Sequence, residues 1–219
     1  MKVASGYVAG ILLALGSGCA AASEQLHIAV QDASGAPVPS AVVYLLGAAP
    51  QKADKADDVI IDQQDSQFLP QISVIQTGTE VEFPNNDSVS HHVYSFARPN
   101  TFELPLYKGE TRPRIRFDYP GIVTLGCNIH DSMLGYLVVV DTPYFGITDA
   151  DGMLVIEKPV VGSYASFVWS PRLDPREPLA MQTIMLARDE LTTVLQLKVD
   201  RQLRSGKPES ASGLAWSDY

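Results

Sequence analysis

Apolar and polar residues alternate over short stretches through most of this chain, and clusters of turn residues separate the stretches. Residues 26–30 and 41–46 read as strands, parted by the turn-rich Asp32-Ala33-Ser34-Gly35-Ala36-Pro37. A polar connector of Ala, Lys and Asp around Pro50 occupies 48–58. Strands then recur at 59–62, 72–76, 80–83, 91–96, 114–117, 122–127 and 134–141. Alternation is clearest at Ile115/Phe117 and at Val123/Leu125/Cys127, which places each set on one face of its strand. After Pro143 a turn over 146–152 leads into strands at 153–156, 165–169 and 192–199, while 179–186 carries a weak helical period. Short strands at this spacing predict an all-β fold of sandwiches rather than βαβ units. The tail, 201–219, is polar with Gly, Ser and Pro, a composition that predicts flexibility.

The N-terminus breaks the alternation. Lys2 precedes the apolar run Val8-Ala9-Gly10-Ile11-Leu12-Leu13-Ala14-Leu15, and small residues continue to Ala20-Ala21-Ala22. A basic start, a short apolar core and an A-x-A ending form the pattern of a secretory signal peptide over 1–22, too short to span a bilayer. The expected location is the periplasm, with no membrane span. Acylation at Cys19 is a second possibility, ranked lower because Gly16 stands where a large aliphatic residue belongs.

Composition narrows the partners. The 219 residues, 46% of them hydrophobic, suffice for real cores, and the formal net charge is −9. Lys2 is the only charged residue in 1–22, so cleavage takes the charge to −10. Such a chain repels phosphate backbones, which excludes nucleic acid as a partner. Of the two cysteines only Cys127 survives cleavage, so no internal disulfide is available to the exported protein. A lone thiol in an oxidising compartment is a liability unless it is buried or bound.

Chemistry-bearing residues gather in two segments, Asn85-Asn86-Asp87-Ser88-Val89-Ser90-His91-His92-Val93-Tyr94 and Gly126-Cys127-Asn128-Ile129-His130-Asp131-Ser132-Met133. Three of the four histidines lie here, and Cys127 and Met133 are six residues apart. C-x2-H-x2-M on a tight loop between two strands turns a thiolate, an imidazole and a thioether towards one point. One His from a neighbouring strand completes a two-His, one-Cys site with a weak axial Met, which selects copper. Taken singly, each residue has an ordinary explanation: a buried thiol, core filling, a surface loop, a solvated strand edge. Their conjunction in an exported chain with no spare cysteine favours one copper ion.

The same residues resemble a cupredoxin, the blue-copper fold of amicyanin and plastocyanin. The matching text is Phe68-x-Pro70, Gly78 and Val81-x-Phe83-x-Asn85-x-Asp87 as the lead-in, then Cys127, His130 and Met133 at the short amicyanin-like spacing. The chain is more similar still to exported cupredoxin-like proteins labelled methylamine utilization protein. That likeness rests on His91-His92-Val93-Tyr94-Ser95-Phe96, Phe102-Glu103-Leu104-Pro105-Leu106-Tyr107 and Gly126-Cys127-Asn128-Ile129-His130-Asp131. The label carries no role in methylamine oxidation. The resemblance implies a type 1 copper site of His91, Cys127, His130 and axial Met133, with His92 and Asn128 supporting the ligands from outside. Between His91 and His92, alternation favours His91, because it shares a face with the apolar Val93; His92 is then expected to bring a backbone N–H near the sulfur. No proline lies between Cys127 and His130, where amicyanin has one, which leaves the loop's rigidity open.

The flanks resemble a carboxypeptidase-regulatory-like sandwich, at 29–43, at Thr148-Asp149-Ala150-Asp151-Gly152 and at Gly162-Ser163-Tyr164. The expected architecture is a cupredoxin-like Greek-key β-sandwich inserted in a second, smaller β-sandwich split in sequence. Its parts are 23–47, the connector 48–58, the cupredoxin domain 59–142, the remainder 143–200 and the tail 201–219. The alternative is a pair of unrelated β extensions of one larger sandwich. The expected function is that of a single-electron carrier, not an enzyme. Its partner is a redox protein such as a c-type cytochrome with a basic face, and Ile129, Met133 and Leu134 form an apolar docking patch. Two rivals remain: a copper carrier or store using the same ligands, and an enzyme with Cys127 as nucleophile and His130 as base. The second is disfavoured because such bases usually come from elsewhere in the sequence.

Overall fold

A computed structural model describes residues 25–47, 59–157, 161–173, 179–187 and 194–199. The expected signal segment 1–22 with Cys19, the connector 48–58 and the tail 201–219 lie outside the described residues. All regular elements among the described residues are strands: β1 (Gln25–Asp32), β2 (Val42–Gly47), β3 (Val59–Ile60), β4 (Asp62–Gln64), β5 (Gln67–Leu69), β6 (Ile72–Gln76), β7 (Thr79–Glu82), β8 (His91–Ser95), β9 (Phe102–Tyr107), β10 (Arg114–Phe117), β11 (Gly121–Gly126), β12 (Leu134–Val140), β13 (Phe145–Ile147), β14 (Met153–Glu157), β15 (Gly162–Trp169), β16 (Ala180–Leu186) and β17 (Val194–Val199).

Strand pairing divides them into two groups. Among the described residues, β1 and β2 pair only with strands that follow residue 144, in sheets of order β14-β1-β17 and β13-β2-β15-β16. Between β2 and β13 in sequence, β3 to β12 pair, among the described residues, only with one another, in sheets β10-β7-β3 and β6-β12-β11-β8-β9 and in the hairpin β4-β5. This is the split-and-inserted all-β architecture expected from the alternation and the flanking resemblance.

Four sheets enclose three apolar layers. Leu26, Ile28 and Val30 of β1 face Val43 and Leu45 of β2 and Tyr164 and Val168 of β15 in the first. Val81 and Phe117 face Val93, Val123, Leu125, Leu137 and Val139 in another, the core of the central sandwich. The third joins the two groups: Val42, Tyr44, Phe145 and Trp169 on one sheet meet Ile72, Val74, Ile122, Tyr136 and Val138 on the other. Trp169 and Tyr136 pack there as a tilted pair, with ring centroids 5.3 Å apart and planes inclined at 59°. The odd and even residues of β12 therefore serve two different cores, Leu137 and Val139 inward, Tyr136, Val138 and Val140 outward.

Two expectations are corrected. The weak helical period at 179–186 belongs to β16, whose buried Ile184 and Leu186 alternate with exposed Met181 and Met185. Seven residue pairs with β15 override the local pattern. Residues 102–107, not expected as a strand, form β9, the sheet edge beside β8. The register shifts between His91/Tyr107 and Val93/Leu104, so β9 carries an extra residue there. Pro105, which cannot donate to a ladder, lies in that bulged, edge stretch.

Candidate metal centre

Three strands and one loop bring the donor residues to one end of the central sandwich. Cys127 immediately follows β11 and continues the inward set of Val123 and Leu125, which leaves it 3% exposed. β8 lies beside β11, with Tyr94 opposite Gly126. His91 opens β8 on the inward face shared with Val93 and Ser95, and all three are fully buried. The loop from β11 to β12 carries His130 and closes with the Met133 N–H donating to the His130 carbonyl at 2.8 Å. Met133 is 1% exposed and packs in the same apolar cluster as Cys127.

His91, Cys127 and His130 present ligand atoms that all lie within 4.8 Å of one another. His91 Nδ1 is 3.7 Å from Cys127 Sγ, and the two imidazole centroids are 5.0 Å apart with planes inclined at 55°. Nδ1 of His130 is buried and without a hydrogen-bond partner, a costly state for a polar atom that a bound cation would relieve. Metal–nitrogen and metal–sulfur bonds of about 2.0 and 2.3 Å, opening at roughly 110–120°, separate the two donors by about 3.5–3.7 Å, which matches the His91–Cys127 spacing of 3.7 Å. The residues thus fit a soft-ligand metal ion of the copper type, with imidazole, thiolate and, from Met133, a thioether at hand.

His92 points the other way. Its Nε2 lies 2.9 Å from Glu103 Oε1 and its ring packs 5.5 Å from that of Tyr94, on the outer face of β8. Asn128 is exposed on the loop. The expected apolar patch is corrected in part. Ile129 is 49% exposed, but Met133 faces the core because the turn that closes on His130 directs it inward.

Residues the sequence reading passed over complete the site. Asp87 Oδ2 lies 2.8 Å from His91 Nε2. The His91 ring first, then the backbone N–H groups of Ser66 and Ser88, hold the Asp87 carboxyl far below the usual carboxylate range. Asn85, 1% exposed, shapes the loop: its amide donates to the carbonyls of Val89 and Tyr107, and its oxygen accepts the Asp87 N–H. Tyr107, opposite His91 in the sheet, donates its hydroxyl to the Phe83 carbonyl and accepts from Gln63, and burial pushes its phenol up to about 12. Asn85 and Asp87 stood in the family-like lead-in; the available signal was an acid four residues before a ligand-type His in a turn.

No family model matches the chain, and no curated protein matches it. Among solved structures it is similar to the copper-containing nitrite reductase (NirK) from Thermus scotoductus SA-01, at 29% identity and TM-score 0.37 over 42% of this chain. It spans about a quarter of that enzyme, 24% of its length. It is also similar to the purple cupredoxin from Nitrosopumilus maritimus (23% identity, TM-score 0.35, 38% of this chain and 100% of that one). An oxidised methionine-to-leucine variant of amicyanin gives 19% identity and TM-score 0.36, over 44% of this chain and 99% of that one. The chain's own strand pairing and donor set define an all-β protein whose central part is a sandwich of two sheets and a hairpin, with a His-Cys-His cluster able to hold a metal ion. No helix among the described residues is long and apolar enough to cross a membrane.

Proposed function

We propose that this chain is a periplasmic type 1 copper protein that carries single electrons between redox partners. The observation behind the reading is the convergence of His91 Nδ1, the Cys127 thiol and His130 at one point, with Met133 in the same buried cluster as Cys127. Bound copper supplies a one-electron couple, stabilised as Cu(I) by sulfur and as Cu(II) by the imidazoles. The chain's own residues do the rest. Cys127, His91 and His130 would hold the ion, and Met133 would offer it a weaker thioether. The surrounding apolar core keeps water out, so little solvent reorganises when charge changes.

His130 is the residue through which an electron leaves, since it is the half-buried member of a cluster whose other ligands are shielded. The neighbouring Ile129 offers an apolar contact. A net charge of −9, or −10 after cleavage, suits a partner with a basic face such as a c-type cytochrome, and makes their association weaken with salt. The chain itself performs no catalysis in this reading.

The test is a visible spectrum of the copper-loaded mature protein beside its Cys127→Ser variant. An intense thiolate-to-copper band in the wild type alone supports the reading. If both are colourless with Cu(II) the electron-carrier reading fails, and copper that exchanges freely during redox cycling points instead to carriage or storage of the metal.

A further inference from the structure

We infer that Asp87 is the positioning residue of the metal centre: its carboxylate makes His91 present Nδ1, rather than Nε2, to Cys127. The identity of the ion rests on the copper reading above, but the geometry belongs to the protein alone.

An ionised carboxylate only accepts hydrogen bonds, so the contact of 2.8 Å between Asp87 Oδ2 and His91 Nε2 places the ring hydrogen on Nε2. The lone pair of a neutral ring is then on Nδ1, which lies 3.7 Å from Cys127 Sγ. Free histidine offers either nitrogen to a metal; here the choice is made before any ion arrives. Such a hydrogen bond from the ring's other nitrogen also raises the ligand's basicity.

Asp87 is itself held on every side. Oδ2 also accepts the Ser66 N–H at 2.7 Å, Oδ1 accepts the Ser88 N–H at 2.6 Å, and the Asp87 N–H donates to Asn85 at 3.0 Å. Ser66 lies at the tip of the β4–β5 hairpin, where Asp65 and Ser66 take φ of 51° and 56° to make the tight turn. That hairpin is tied to the metal loop again by Asn86 N–H to the Gln63 carbonyl at 3.1 Å and Asn86 Nδ2 to Asp62 at 2.8 Å. Its Phe68 then packs under Gly135 on β12, where an added Cβ would meet the ring at 3.1 Å. The hairpin thus braces the ligand-bearing loop against the sheet through Asp87.

The charge has its own consequence. The Asp87 side chain is only 9% exposed, so its field is weakly screened, and it acts on the ion through a single imidazole. A negative group there favours Cu(II) over Cu(I).

The test uses full-length protein with Asp87→Asn and Asp87→Ala. In the metal-free state, nitrogen NMR of the neutral His91 ring should show the Nε2–H tautomer in the wild type and in Asp87→Asn, whose amide oxygen still accepts, and a mixture in Asp87→Ala. An Nδ1–H ring in the wild type, or an unchanged tautomer in Asp87→Ala, overturns the inference. Copper affinities, measured by chelator competition, should fall roughly 10–100-fold in Asp87→Ala. In Asp87→Asn the Cu(II)/Cu(I) affinity ratio should fall about tenfold, equivalent to about 59 mV upward for one electron. An unchanged ratio refutes the electrostatic part. Asp87→Asn keeps the question answerable if Asp87→Ala fails to fold. A wild type that binds no copper defeats the functional reading and leaves the tautomer result standing.

Discussion

The ring of Tyr94 occupies the space that a side chain on Gly126 would need: a Cβ built there lies 2.7 Å from the ring carbon Cζ and 2.8 Å from the hydroxyl. Tyr94 cannot easily yield, because it is packed between His92 and Phe96 along β8, with ring centroids 5.5 and 5.0 Å away. Burial raises its phenol pKa, and the neighbouring charges of Cys127 and Asp131 add to the rise. The close approach of these two strands sets where Cys127 stands relative to His91. Gly126→Ala should therefore destabilise the fold by about 1–3 kcal/mol in urea unfolding. Tyr94→Ala in the same chain should recover part of that loss; strict additivity of the two changes would show that the added methyl and the Tyr94 ring do not clash.

Metal binding should add to stability without creating the fold. The His-Cys-His cluster lies at one end of a core of Phe68, Phe83, Phe117 and many aliphatic residues that does not depend on it. Metal-free protein is expected to unfold cooperatively. Free copper at a hundredfold excess over its Kd should raise stability by about 2.7 kcal/mol. Cys127→Ser should abolish most of that gain, as read by thermal melts with and without copper.

Acid should weaken one anchor of the central sandwich. Glu82 on β7 is gripped by Arg112 Nη1 at 2.8 Å and Arg114 Nη2 at 2.6 Å, and those two hydrogen bonds, Arg112 first, hold its carboxyl below the ordinary 4.5. A carboxyl depressed in the folded state contributes stability that is complete above the unfolded value. The contribution fades as pH falls below 4.5 towards the folded value. Wild type should thus melt above Glu82→Gln at neutral pH, and the gap should close on acidification below 4.5. A gap constant through the acid range would refute the assignment.

The layer between the two sandwiches should be separable from the metal site. Trp169→Ala removes the ring that packs on Tyr136 and opens a cavity among Val42, Val138 and Val140. A loss of roughly 3–5 kcal/mol is expected from denaturant unfolding. Copper stoichiometry should stay unchanged, because the donor residues lie on the opposite face of the five-stranded sheet and at its end.

The strands around the site were legible because one-sided burial writes a period of two into Val123, Leu125 and Cys127, and into His91 and Val93. β9 was not legible. Pro105 and the exposed Glu103 and Leu106 suit an edge with a bulge, where side chains face solvent and no apolar period is required. Likewise 179–186 misled, since Met181 and Met185 are apolar yet exposed, and only pairing with β15 decides which residues turn inward.

Local pattern alone determined that the chain is built of strands and which four side chains were worth watching. These are properties of residue type and spacing, and they survive without knowledge of what lies opposite. Tertiary structure decided the rest: that Asp87 backs His91, that His92 turns to Glu103, that Met133 is buried while Ile129 is not, and that β12 serves two cores. Each of those depends on a partner brought from a distant part of the chain or on the path of a turn, and a linear sequence records neither.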